Sequence, residues 1–194
     1  MQNQNQPAQQ QARQERPLAI GLTVLSALGR LVPHAPNVTP LGGSCLFAGS
    51  RLGGAMAYLL PLAVMLVTDP FAYWGHGYTM ASPVIYASFL INVWIGRQLL
   101  GKSDRITPIR VGGSAFLCSL QFFVLTNLAL WVGGVAQHNP MYSADFAGFV
   151  RCYTMALPFW GRTLAGDLLF SGALFGLYEL LIRRTAHTAA TVNA

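Results

Sequence analysis

Arg30-Leu-Val-Pro-His-Ala-Pro-Asn-Val-Thr-Pro40 is the stretch from which the rest of the chain can be laid out. Its three prolines cannot continue a helix, because each lacks a backbone N–H and pushes the preceding residue toward extended backbone. It follows the apolar run that begins at Leu18, so a helix arriving from there must end here. Polar, aromatic or proline-bearing breaks recur at Asp69–Tyr78 and Gln137–Arg162. All three breaks are expected on one side of a bilayer, where they would build one site.

Outward from that stretch, composition sets the class. Of 194 residues, 53% are hydrophobic and 9% charged, whereas about a quarter of an ordinary soluble domain is charged. Several apolar segments without a leader-like start point to one integral domain kept in a membrane. The net charge of +6 is spread between apolar runs rather than gathered in a patch, which argues against nucleic acid and for a record of orientation. Cys45, Cys118 and Cys152 show no metal or redox spacing. Cys45 and Cys118 read as packing residues, whereas Cys152 is expected in an outer loop.

Residues 1–16, rich in Gln and Asn, and 185–194 read as disordered cytoplasmic tails around a domain at 17–184. Spans are expected at Leu18–Val32, Leu41–Ser50, Gly54–Thr68, Ala81–Leu100, Val111–Gly133 and Thr163–Ile182. Thr39 would cap the second and Pro40 would open it. That second segment is short against the roughly 20 residues of an upright span. Letting it cross nevertheless puts Arg97, Lys102, Arg105 and Arg110 inside, as the positive-inside tendency requires. The expected fold is an all-α integral membrane bundle of six transmembrane helices with a short second helix and both termini cytoplasmic. Gly49-x-x-x-Gly53 and Gly172-x-x-x-Gly176 would serve close helix packing within the bundle.

With this topology the outer ends collect Arg30, His34, Asn37, Asp69, Tyr73, Trp74, His76, Tyr78, Trp131, His138, Asp145, Arg151, Tyr153, Trp160, Arg162 and Asp167. Asp69, read as the end of the third span, needs a cation, with Arg30 or Arg162 at matching depth. Asp167 is expected near the positive start of the sixth span, behind a Thr163 cap. Asn127 and Trp131 share a face of the fifth span, and Glu179 is placed to pair with Arg183 along the sixth. The expected substrate-binding set is Arg30, Asn37, Asp69, Tyr73, Trp74, His76, Asn127, Trp131, Trp160, Arg162 and Asp167. Tyr73, Trp74, Tyr78 and Trp160 would stack on the ligand or cover it. No catalytic motif, nucleotide-binding loop or metal-ligand spacing is present, so no enzyme, cofactor or metal is expected. Transport would draw on an ATPase partner or an ion gradient.

The ordered residues Arg30, Pro33-His34, Pro36-Asn37, Thr39-Pro40, Pro61-Leu62, Asp69, Thr126-Asn127, Trp131, Pro158-Phe159, Thr163 and Gly166-Asp167-Leu168 resemble a family of uncharacterised bacterial inner-membrane proteins catalogued with transporters. The layout is similar to the substrate-binding S component of energy-coupling-factor vitamin transporters. That resemblance implies a solute pocket beneath the outer loops and an ATPase and transmembrane coupling module as partner. It also implies a corrinoid as one ligand, with His76 or Cys152 on cobalt. The Ala-x-x-x-Ala docking pattern of S components is absent from Leu18–Val32. An accessory or assembly subunit of a larger membrane complex is the alternative, and an enzyme acting on a lipid or quinone is a third.

Overall fold

The computed structural model describes the backbone of residues 6–76, 82–101, 106–136 and 141–192, with side chains for 15–71, 82–101, 106–136 and 141–185. These residues form α1 (Gln6–Leu28), a 3-10 turn (Gly29–Leu31), α2 (Leu41–Arg51), α3 (Met56–His76), α4 (Pro83–Leu99), α5 (Pro108–Ala136) and α6 (Phe146–Val192). No strand occurs among them.

Cross-helix contacts fix the directions. Arg16, midway along α1, reaches Met56, and Arg30, just past its end, reaches Asp69, so α1 and α3 run together. Asp69 meets Tyr86, and Arg97 donates to the Gly54 carbonyl, so α4 returns against α3. Gln121 bonds the Ser88 carbonyl, and Arg110 bonds that of Leu99, so α5 opposes α4. Trp131 meets Phe149 and Phe123 meets Trp160, so α6 opposes α5. Odd-numbered helices run one way and even-numbered helices the other. One end of the bundle gathers Arg30, Asp69, Trp131 and Asp145, and the opposite end gathers Arg51, Arg97, Arg110 and Glu179.

The short α2 is the core. Leu41 through Gly49 are all buried, and at 1.5 Å per residue the helix spans only about 16 Å. Its neighbours close over it at glycines: a Cβ on Gly49 would strike the Val93 carbonyl, and one on Gly96 would strike that of Leu46. A Cβ on Gly43 would press on the backbone of Phe170 and Ser171. Ser44 Oγ and Ser26 Oγ share a hydrogen bond at 2.8 Å, joining α2 to α1. At its end Phe47 meets Phe175 and Tyr178 edge-on at 5.2 and 5.4 Å. Arg51 lies over Tyr178 and pairs with Glu179 at 2.9 Å. Glu179 thus pairs across to α2 rather than with Arg183 along its own helix, because α2 and α6 run side by side in the same direction.

Three helices outrun the sequence pattern. α3 passes through Pro61 and Pro70 to His76, so Asp69 lies inside a helix and not at its end. A proline removes one hydrogen bond of the helix ladder, and the cross-helix partners of Asp69 tie this part of α3 to its neighbours. α6 begins at Phe146 and contains Pro158, which places Cys152 on a helix and buried rather than in a loop. α1 begins at Gln6, where Gln, Ala and Arg are good helix formers despite their polarity. α5 and the Phe146–Thr185 part of α6 are long and apolar enough to cross a membrane, and Met56–Phe71 is a shorter apolar helix. Large apolar side chains stand outward on them, among them Leu66, Val67, Leu130, Val132, Leu169 and Leu180.

Candidate functional site

A cavity of about 390 Å³ lies between α5, α6 and the α1–α2 connection. Asn37, Phe122, Phe123, Thr126, Asn127, Ala156, Phe159, Trp160 and Thr163 line it. On α5 these residues fall on consecutive turns of one face, and on α6 the spacing 156, 159–160, 163 does the same. Trp160 stacks on Phe123 with centroids 5.3 Å apart, making one wall a continuous aromatic surface. The polar groups are anchored to their own helices. Thr126 donates to the Phe122 carbonyl at 2.7 Å, Asn127 Nδ2 to that of Phe123 at 2.8 Å, and Thr163 to that of Phe159 at 3.2 Å. Asn37 enters from the connection with φ of 66°, a left-handed conformation that asparagine tolerates better than most residues.

No charged side chain lines this cavity among the described residues. The charges expected there lie elsewhere. Asp69, 4% exposed, takes Arg30 Nη1 at 2.7 Å and accepts from the Tyr86 hydroxyl. Arg30 also donates to Thr68 Oγ1 at 3.2 Å. The cluster ties α1, α3 and α4 together. Arg162 is exposed on α6. Trp131 packs on Phe149 and donates to the Ser143 carbonyl at 3.0 Å, closing the α5–α6 corner instead of lining the cavity.

Asp167 is 3% exposed and has no ion-pair partner among the described residues. It does not lie at the start of its own helix, and Thr163 caps nothing, because α6 begins about five turns earlier. A Cβ on Gly42 would fall on its carboxylate, so Asp167 rests on the first turn of α2. The amides there have no intrahelical acceptor, and the helix end is positive. Asp167 thus meets the start of α2 and not the start of its own helix. The α6 start is capped by Asp145, whose Oδ1 accepts from Gly148 N and Ser143 Oγ, each at 2.7 Å. These two bonds hold its carboxyl below the ordinary value of 3.8.

Of the expected set, the structure brings Asn37, Asn127 and Trp160 to one cavity. It places Arg30 with Asp69, and Trp131, Arg162 and Asp167 each apart. The side chains of Tyr73, Trp74 and His76 lie outside the described residues, as do Tyr78 and His138. Phe122, Phe123, Ala156 and Phe159 line the cavity without being expected there. The one sequence signal for the α6 wall is the spacing of Ala156, Trp160, Thr163 and Asp167, which keeps a helical period straight through Pro158.

Fold and cavity together define an all-helical up-and-down bundle with two helices of membrane-crossing length and an uncharged, aromatic cavity near one end. Within that class, the chain belongs to the family of unknown function DUF6580, which matches it over residues 10–190. No curated protein and no solved structure matches it significantly.

Proposed function

We propose that this chain is a six-crossing protein of the bacterial cytoplasmic membrane that captures a small solute in the α5–α6 cavity from the extracytoplasmic side. The observation that carries the reading is the cavity itself, in which Asn37 and Asn127 meet the rings of Phe122, Phe123, Phe159 and Trp160. A mostly apolar, concave wall with a few polar groups is the usual form of a small-molecule site. The alternating helix directions and the outward-facing apolar side chains support the membrane reading. Arg16, Arg51, Arg97, Arg110, Arg183 and Arg184 lie toward one end, against Arg30, Arg151 and Arg162 toward the other. That imbalance supports a cytoplasmic first end under the positive-inside tendency, with both termini inside.

The cavity volume suits one or two fused rings better than a corrinoid macrocycle. The chain would serve as the solute-binding subunit of a transporter resembling the energy-coupling-factor type, powered by a separate ATPase module. Native mass spectrometry of gently extracted protein tests this. Wild type is expected to carry a small molecule that Ala156→Trp, which fills the cavity, does not. An empty wild type, or a solute retained in the variant, would overturn the reading.

A second reading, an accessory subunit of a larger membrane complex, is favoured by a furrow of about 240 Å³ between the start of α5 and α6, lined by Val111, Gly112, Leu168, Gly172, Phe175 and Gly176 among others. Added Cβ atoms at Gly172 and Gly176 would meet nothing. A protein partner that co-purifies with wild type and is lost on Gly172→Leu would support this second reading.

A further inference from the structure

Resting on the cavity as the solute site, we infer that its ligand is an uncharged, planar ring system that presents a hydrogen-bond donor. The walls supply stacking surface, since Trp160 lies nearly parallel to Phe123 at 28° and Phe122 and Phe159 border the same space. Such surfaces favour flat rings through offset or edge contacts. The polar groups then set the polarity of the match. The hydroxyls of Thr126 and Thr163 each have a single proton, and each spends it on a carbonyl of its own helix. What they turn to a ligand is a lone pair. Asn127 commits one N–H to the Phe123 carbonyl and keeps the other beside its side-chain oxygen, so its amide and that of Asn37 can meet either a donor or an acceptor. The two threonine oxygens can only accept, and they are what calls for a donor on the ligand.

Charge completes the exclusion. With no cationic side chain in the lining among the described residues, a carboxylate or phosphate entering this space would lose its hydration without a partner, which is costly. A full cation would lack a carboxylate, because Asp69 is engaged by Arg30 and Tyr86 and Asp167 faces the first turn of α2. A neutral ring with an N–H or O–H satisfies the oxygens and leaves no charge unpaired.

Calorimetric titration of the full chain in lipid nanodiscs with three oxopurine probes separates the terms. Theophylline keeps one ring N–H, caffeine replaces it with a methyl group, and urate carries a negative charge on a similar skeleton. Theophylline is expected to bind about tenfold more tightly than caffeine, the worth of one hydrogen bond, and urate not to bind detectably. Thr163→Val and, separately, Thr126→Val preserve shape while deleting lone pairs, and each is expected to shrink the theophylline preference. Caffeine binding as well as theophylline, urate binding best, or no binding by any probe would overturn the inference. A co-purified solute that is anionic or lacks a donor, yet is lost in Ala156→Trp, would overturn it while leaving the cavity as the solute site. A solute retained in Ala156→Trp would overturn both.

Discussion

Arg30 and Asp69 form the ion pair that joins the start of the α1–α2 connection to α3. Removing one partner of a buried pair strands the other charge, whereas replacing both with apolar groups is far milder. Asp69→Leu or Arg30→Met alone is therefore expected to cost about 3 kcal/mol, and the double variant less than either. Thermal unfolding in detergent completes the cycle, and strictly additive losses would show that the pair does not couple. Asp145 carries a pH signature. Its carboxyl is held below 3.8 by Ser143 and Gly148, so the cap contributes above that range and fades as pH falls through the depressed folded value. The stability gap between wild type and Asp145→Asn is expected to stay constant near neutrality and close in acid. A gap that widened in acid would contradict the assignment. Asp69 illustrates what single residues disclose: its need for a cation is legible from an acid in an apolar run, but its place inside a helix is not, because Pro70 resembles a terminator.

Glycines show the same limit for whole elements. A Gly-x-x-x-Gly spacing reads alike wherever it occurs, yet Gly49 bears on the Val93 backbone while Gly172 and Gly176 face open space. Only the packing of α2 separates them. Gly42→Ala, which would press on Asp167, is expected to destabilise by about 2 kcal/mol. Gly172→Ala is expected to be neutral or to stabilise by about 0.5–1 kcal/mol through helix propensity. Chemical denaturation of the two variants reads the opposite signs, and equal losses would mean that Gly172 is packed within the chain. α6 is the hardest helix to foresee. Its opening stretch, Phe146 to Arg162, contains charges, several rings and Pro158, a composition shared with loops. The cavity is half legible for the same reason: Asn127 and Trp160 are conspicuous residue types, while Phe122 and Ala156 matter only once α6 is seen to run alongside α5.

For the molecule as a whole, the sequence pattern foretells six helical segments with a short second one, because hydrophobic run length and charge placement are properties of a bundle rather than of local geometry. It does not foretell which polar residues converge, since side-chain partners depend on how helices rotate about their axes. The proposed topology makes a checkable statement about sides. Cys45, Cys118 and Cys152 are all buried, so wild-type protein is expected to resist a membrane-impermeant thiol reagent. His76→Cys is expected to react from outside intact cells, whereas Arg105→Cys is not. Reaction of both, or of neither until lysis, would place them on the same side and remove the proposed orientation.

The enclosure of α2 also bears on biogenesis. Gly42 and Gly43 complete their surroundings only when Asp167, Phe170 and Ser171 arrive, and these belong to α6, the last of the six helices to be synthesised. The innermost element is therefore made early and must wait, half-walled by α1, α3 and α4, until its final neighbour emerges. A chain interrupted before α6 would leave its glycine-rich centre uncovered and open to proteolysis.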